Sequence, residues 1–200
     1  MDQAGLVKTR ALTGEDLERA LPALAALRIE VFRAFPYLYA GSPAYEVRYL
    51  RDFAAAKDSF IVAAETDTGE IAGCATGSAL TGHHAEFSGP LVQAGFPLSS
   101  TFYFGESVLL PGFRGQGLGH AFFDAREAHA KARGYKRACF CAVERAKDHP
   151  ARPAGYSPLD AFWTKRGYRK LDGLETEFAW PVAPGGPNEL HPMGYWMREL

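Results

Sequence analysis

Phe104-Gly-Glu-Ser-Val-Leu-Leu-Pro-Gly-Phe-Arg-Gly-Gln-Gly-Leu-Gly-His-Ala-Phe-Phe123 is the stretch that decides the fold. An apolar strand pattern over residues 101–110 runs into Pro111-Gly112, then into Arg114-Gly-Gln-Gly-Leu-Gly119, and an amphipathic helix follows at once. Three glycines in five residues leave the backbone bare, so amide groups can approach an anion closely. The helix start adds unpaired N–H donors and the positive end of the helix dipole. Strand, glycine loop and helix N-terminus together predict a cradle for a diphosphate.

Two common cradles fit this spacing badly. A P-loop requires Lys-Ser/Thr after its last glycine, and neither residue follows here. A dinucleotide fingerprint requires Gly-x-Gly-x-x-Gly with an acidic residue ending a strand some twenty residues on. Here the spacing is Gly115-x-Gly117-x-Gly119. Glu127 falls inside the helix and Glu144 is too far along.

The pattern Arg-x-x-Gly-x-Gly (Arg114, Gly117, Gly119) resembles the acyl-CoA signature of the GNAT superfamily of acyl-CoA-dependent N-acyltransferases. The run Leu109-Leu-Pro-Gly-Phe113 leading in, and Ala161-Phe-Trp-Thr-Lys-Arg-Gly-Tyr168 downstream, are similar to that family too. The resemblance is strong over residues 101–170, and the first hundred residues match only in the order of elements. It implies a single domain over residues 1–200, with acetyl-CoA as co-substrate lying in a wedge where strands 101–110 and 137–143 splay apart. It places Val108, Leu109 and Leu110 along the pantetheine. Arg114, Gly115, Gln116, Gly117, Leu118, Gly119 and His120 are placed at the diphosphate.

Composition agrees with one globular α/β domain. Of 200 residues, 47% are hydrophobic and 22% charged, ordinary values for a chain able to bury roughly 70% of its unfolded surface. The net charge of −1 argues against general nucleic-acid binding. It is unevenly divided: residues 1–100 hold 8 basic and 12 acidic side chains, residues 101–200 hold 14 and 11. The basic half contains the cradle. Cys74, Cys139 and Cys141 form no disulfide framework, and no metal site is expected. No apolar run is long enough to span a membrane and no leader pattern opens the chain, so a cytoplasmic protein is expected.

Periodicity predicts a strand over 6–12, a helix from Thr13 that kinks or restarts at Pro22, and a second helix over 44–57. Strands over 59–65 and 70–80 are joined by a turn at 66–69. Residues 81–100, with two histidines, read as loop or short helix. Further expectations are a strand over 101–110, a helix over 115–133, a strand over 137–143, a polar connection over 144–157, a short helix over 158–166 capped by Ser157, and strands over 175–182 and 191–200. The result is a mixed, partly antiparallel central sheet flanked by helices, the element order the GNAT fold implies.

Amine acylation needs a base for the attacking amine, donors for the developing oxyanion, and a group that stabilises or protonates the departing thiolate. Glu106, alone in an apolar strand, is the candidate base, with desolvation expected to raise its pKa. The resemblance implies oxyanion donors from the amides of residues 107–109 at a bulge, with which Gly105 is compatible. The family often has Tyr where this chain has Trp163, whose indole is no useful acid; Tyr168 stands at a packing position. Tyr156 is the candidate acid, with Cys141 or no residue at all as alternatives. Acceptor-pocket candidates are Phe35, Tyr37, Tyr39, Glu46, Tyr103, Glu144, His149 and Arg152. An acidic lining from Glu46, Glu106 and Glu144 would suit a cationic amine and Arg152 a carboxylate, and the sequence does not choose between them.

The leading reading is therefore an N-acetyltransferase acting on a primary amine of a small molecule or a protein. The alternatives are an acyl-CoA-binding sensor with little turnover, favoured by Trp163, and another nucleotide-binding domain. The apolar run 193–197 fits either an internal strand or a homodimer contact.

Overall fold

The computed structural model describes residues 7–82 and 85–200. Its seven strands form one sheet: β1 (Lys8–Ala11), β2 (Phe60–Glu65), β3 (Ile71–Ala79), β4 (Thr101–Leu109), β5 (Arg137–Val143), β6 (Arg169–Trp180) and β7 (Glu189–Glu199). The spatial order is β1-β2-β3-β4-β5-β7-β6. Every pairing is antiparallel except β4 with β5, so the mixed sheet read from the sequence is the one observed. Helices α1 (Gly14–Phe32), α2 (Pro43–Ala54) and α3 (Ala85–Gln93) cover one face, and α4 (Leu118–Ala132) and α5 (Asp160–Lys165) the other. No helix among the described residues is long and apolar enough to cross a membrane.

Several expected boundaries are corrected. Pro22 lies inside α1 without dividing it. Residues 81–100, read as loop or short helix, contain the short helix α3, while His83 and His84 lie outside the described residues, as does Leu6 of the expected first strand. α4 begins at Leu118 rather than at residue 115, because Gly117 is left-handed (φ 83°) and caps it. α5 starts at Asp160 behind Leu159, not behind Ser157. β6 begins at Arg169, six residues early, because 171–174 bulge out of register and hide its alternation. β7 lies between β5 and β6 with Met193, Tyr195 and Met197 buried, so the apolar run is an internal strand.

One irregularity positions the site. Ser107 pairs with Ala75 and Phe104 with Gly77, so Gly105 and Glu106 together oppose Thr76. This is a β-bulge, and an extra residue reverses which face each later side chain takes. Phe102 and Phe104 pack with Phe123 and Phe140 on the α4 face. Past the bulge Val108 packs with Leu24 and Leu50 of α1 and α2, and Leu109 joins Leu118 and Phe122 of α4. Only glycine fits the bulge, since a Cβ on Gly105 would stand 2.5 Å from Thr76 Oγ1. We expect Gly105→Ala to destabilise the protein by about 1–3 kcal/mol and Thr76→Ala to recover part of that loss in the double variant. Urea denaturation of the four-member cycle measures the coupling.

Candidate active site

β4 and β5 are joined by three rungs only, Thr101 with Arg137, Phe102 with Ala138 and Tyr103 with Cys139. Beyond Tyr103 the parallel strands part, and the wedge between them runs toward the loop after β4. That loop makes a short 3-10 turn at Pro111–Phe113 and reaches α4 through Gly115 (φ 76°) and Gly117 (φ 83°). Both are conformations that L side chains rarely adopt. Among the described residues, the amides of Gly115, Gln116 and Gly117 donate to no backbone carbonyl. Nothing stands within 4 Å of where a Cβ on Gly115 or Gly117 would lie, so a side chain there would fill the cradle and not the core. Arg114 folds back to donate from Nε to the Leu109 carbonyl (3.2 Å). His120 stacks against Phe162 and meets Arg166 through Nδ1 (3.1 Å), which steadies the first turn of α4. These residues fit a diphosphate, with free amides, a helix N-terminus and no carboxylate in the loop.

Because of the bulge, Glu106 projects to the α1–α2 face. There it forms a buried ion pair with Arg28 Nη1 and accepts a hydrogen bond from the Tyr49 hydroxyl (3.3 Å). Arg28 Nε also donates to Glu46 (2.5 Å), which accepts a hydrogen bond from the Tyr39 hydroxyl as well. The guanidinium lies 4.4 Å from the Tyr49 ring centre and 5.2 Å from that of Phe32. Desolvation opposes the charge on Arg28, but Glu106, Tyr49 and Glu46 outweigh it and hold its pKa well above the ordinary value. The carboxylate expected to stand alone in an apolar strand therefore has a counter-ion. Sequence reading could not have found Arg28, which is 78 positions away and reads as one polar residue in a helix.

Arg126 was also missed. It lies in the apolar stripe of α4 and is 1% exposed. Its Nη1 donates to the carbonyls of Thr76 (3.2 Å) and Glu106 (3.0 Å), Nη2 to Ser107 Oγ (2.7 Å) and Nε to Phe122 O (3.1 Å). Carbonyls that the bulge takes out of the sheet ladder thus receive charge-assisted hydrogen bonds. Burial pulls the Arg126 pKa down to about 10, leaving it a cation at neutral pH. Arg126 and Glu127 are buried on the same face of α4 as Leu118, Phe122, Phe123 and Ala130.

A strap over residues 36–40, entered from Phe35, crosses the open end of the wedge. Arg145, just beyond β5, donates to the carbonyls of Pro36 (2.8 Å) and Tyr37 (3.1 Å). The Trp180 indole also donates to Tyr37 O (3.0 Å), and the Ala40 amide to Pro181 O (2.9 Å). The strap carries Phe35, whose ring meets those of Tyr156 (4.7 Å) and His149 (5.6 Å). Tyr156 also lies under the Arg152 guanidinium (4.8 Å), and burial raises its pKa, so it stays protonated through neutral pH. Cys141 and Tyr103 are buried, and the Cys141 thiol is pushed up to about 12 by burial. Trp163 packs between Phe140 and Trp196, and Tyr168 is buried with its hydroxyl on Glu127.

A family model for the acetyltransferase (GNAT) family matches residues 24–155, about two thirds of the chain. The chain belongs to the GNAT acetyltransferase family. No curated protein matches it by sequence. Solved GNAT folds superpose on nearly all of it at low identity. A candidate acetyltransferase of Acinetobacter baylyi shares 13% identity and a TM-score of 0.64, covering 100% of this chain and 95% of its own. A ribosomal-protein-alanine N-acetyltransferase of Brucella melitensis shares 14% and 0.63, covering 96% and 99%. A candidate acetyltransferase of Salmonella typhimurium, solved with its cofactor acetyl-CoA, shares 9% and 0.62, covering 98% and 95%. At such identities the likeness is one of fold.

In this GNAT domain the bulge and α4 are fastened together by Arg126. Replacing it with Met would leave buried acceptors unpaired at about 1–3 kcal/mol each. We expect Arg126→Met to lower the free energy of unfolding by at least about 2 kcal/mol, and Arg126→Lys to recover only part. Urea titration followed by tryptophan fluorescence checks this.

Proposed function

We propose that this protein is an N-acetyltransferase, one domain over residues 1–200, that moves the acetyl group of acetyl-CoA to a primary amine by direct attack in a ternary complex. The observation that carries the reading is the two-sided strand β4. Its end feeds an open, left-handed glycine cradle, and its bulge turns Glu106 to the opposite face, toward the strap. Acetyl-CoA, when bound, supplies an activated acyl group and a thiol leaving group. Gly115, Gln116, Gly117, Leu118, Gly119 and His120, with Arg114 beside them, hold the diphosphate by backbone amides and the helix dipole. The backbone of Val108, Leu109 and Leu110 runs along the pantetheine.

Glu106 accepts the proton of the attacking amine, directly or through one water, and its pairing with Arg28 fixes its direction. Backbone amides of β4 that β5 leaves unpaired beyond Tyr103 stabilise the oxyanion. Tyr156, kept protonated by burial, gives its proton to the departing sulfur. Trp163 stands in for no acid, because its indole is packed in the aromatic core.

Acetyl-CoA at 100 times its dissociation constant stabilises a protein by about 2.7 kcal/mol. For a chain of this size that raises the melting temperature by roughly 5–10 °C. We expect acetyl-CoA and CoA, but not NAD or ATP, to protect the wild type, and Gly117→Trp to abolish that protection while circular dichroism stays unchanged. Glu106→Gln should bind acetyl-CoA normally and lose about 10²–10⁴ in kcat in a thiol-release assay. Equal protection of the glycine variant, or an unchanged kcat in Glu106→Gln, would sink the respective assignment.

A further inference from the structure

Four charged groups on the acceptor side have side chains that could read a substrate: Glu46, Glu106, Glu144 and Arg152, while Arg145 spends its donors on the strap carbonyls and His191. Glu144 is neutralised by an ion pair with Lys170. Among the described residues Glu46 and Glu106 share one cation, Arg28, so that buried cluster has a formal charge of −1. Arg152 differs from all of them. Among the described residues no carboxylate pairs with it. Its guanidinium lies half-buried, 4.8 Å from the ring centre of Tyr156 and 5.8 Å from that of Phe35. Stacking fixes the plane of an arginine and leaves its edge N–H groups free, the fork that meets a carboxylate through two parallel hydrogen bonds.

Both poles border the same stretch of chain. Arg28 lies over Phe32, at the end of α1, and Arg152 over Phe35, just beyond it. The turn between those residues is held by hydrogen bonds from Arg33 N to Ile29 O and from Ala34 N to Val31 O. The acidic cluster around Arg28 and the stacked guanidinium of Arg152 thus flank residues 32–35.

We propose that the acceptor is an α-amino carboxylate, a small molecule with its amine toward Glu106 and its carboxylate gripped by Arg152. This rests on the acetyltransferase reading above and narrows it. A peptide N-terminus, which has no carboxylate beside its amine, leaves Arg152 without a partner and is disfavoured. A site built to pair a charged group rejects analogues that lack it, because its own charge is then left unpaired.

The test is thiol release from acetyl-CoA with the L-amino acids, their primary amides, the matching decarboxylated amines and short peptides, using wild type, Arg152→Gln and Arg152→Lys. Thermal protection by acetyl-CoA is measured on every variant. For the best amino acid we expect the wild-type kcat/KM to exceed that of its amide by about tenfold or more. Arg152→Gln should lose that advantage through KM, with acetyl-CoA protection unchanged, and Arg152→Lys should fall between. The proposal is overturned if amides, decarboxylated amines or peptides serve as well as amino acids. It is also overturned if Arg152→Gln slows all acceptors alike, or if no amino acid releases thiol from a protein that acetyl-CoA protects. Absence of acetyl-CoA protection in the wild type would instead overturn the acetyltransferase reading, and this one with it.

Discussion

The contact between Gly105 and Thr76 sets the geometry of everything around it. A regular β4 would send Glu106 the same way as Phe102 and Phe104, into the aromatic cluster beneath α4 and away from Arg28 and Tyr49. One extra residue in the strand turns it to the other face, where Arg28 waits in α1. The same extra residue sends Ser107 toward Arg126 and Val108 toward α1. The cost of interrupting the ladder is met locally: Thr76 Oγ1 accepts from the Glu106 amide (3.2 Å), and Arg126 donates to the carbonyls. Thr76 can do this only because Gly105 has no Cβ.

Two buried arginines therefore stand on opposite sides of one strand with different tasks. Arg126 has no carboxylate directly bonded to it and spends its donors on carbonyls and a hydroxyl, so it acts as a brace. Arg28 has two carboxylates and spends its donors on side chains, so it sets charge at the site. Burying a cation is expensive unless it is compensated; Arg126 is compensated by hydrogen bonds and Arg28 by its two carboxylates. Neither could be exchanged for lysine without losing the planar fork that reaches several acceptors at once.

The glycine loop, the strands flanking the wedge and the order of most elements were legible in the sequence because each is local. Glycine spacing, helical period and strand alternation are written within ten or twenty residues of one another. The position of Glu106 on β4 was readable in the same way, but its surroundings were not, since Arg28, Tyr49 and Thr76 come from three other elements. Arg126 hid inside an apolar stripe, where a polar residue ordinarily reads as the edge of the buried face. The early start of β6 was invisible because residues 171–174 break the alternation that marks a strand. The aromatic residues of 35–39 could be core or pocket by sequence. The fold uses their backbone carbonyls as anchors and their rings as a wall, and no pattern of residue types encodes the first of those.

The strap over residues 36–40 changes what kind of object the wedge is. Two strands that diverge from three rungs would by themselves make a jaw, free to widen at its tips. Here the tips are bridged, because Arg145, Trp180 and Pro181 on the β5–β7 side hold a segment whose other end is tied through Tyr39 and Glu46 to the β4 side. The opening is thus a closed window of fixed perimeter, with its sill at Tyr103 and its lintel at Tyr37. Its two approaches open on opposite faces of the sheet, one past α4 and the other past α1, and its width is set by the strap as well as by the strands.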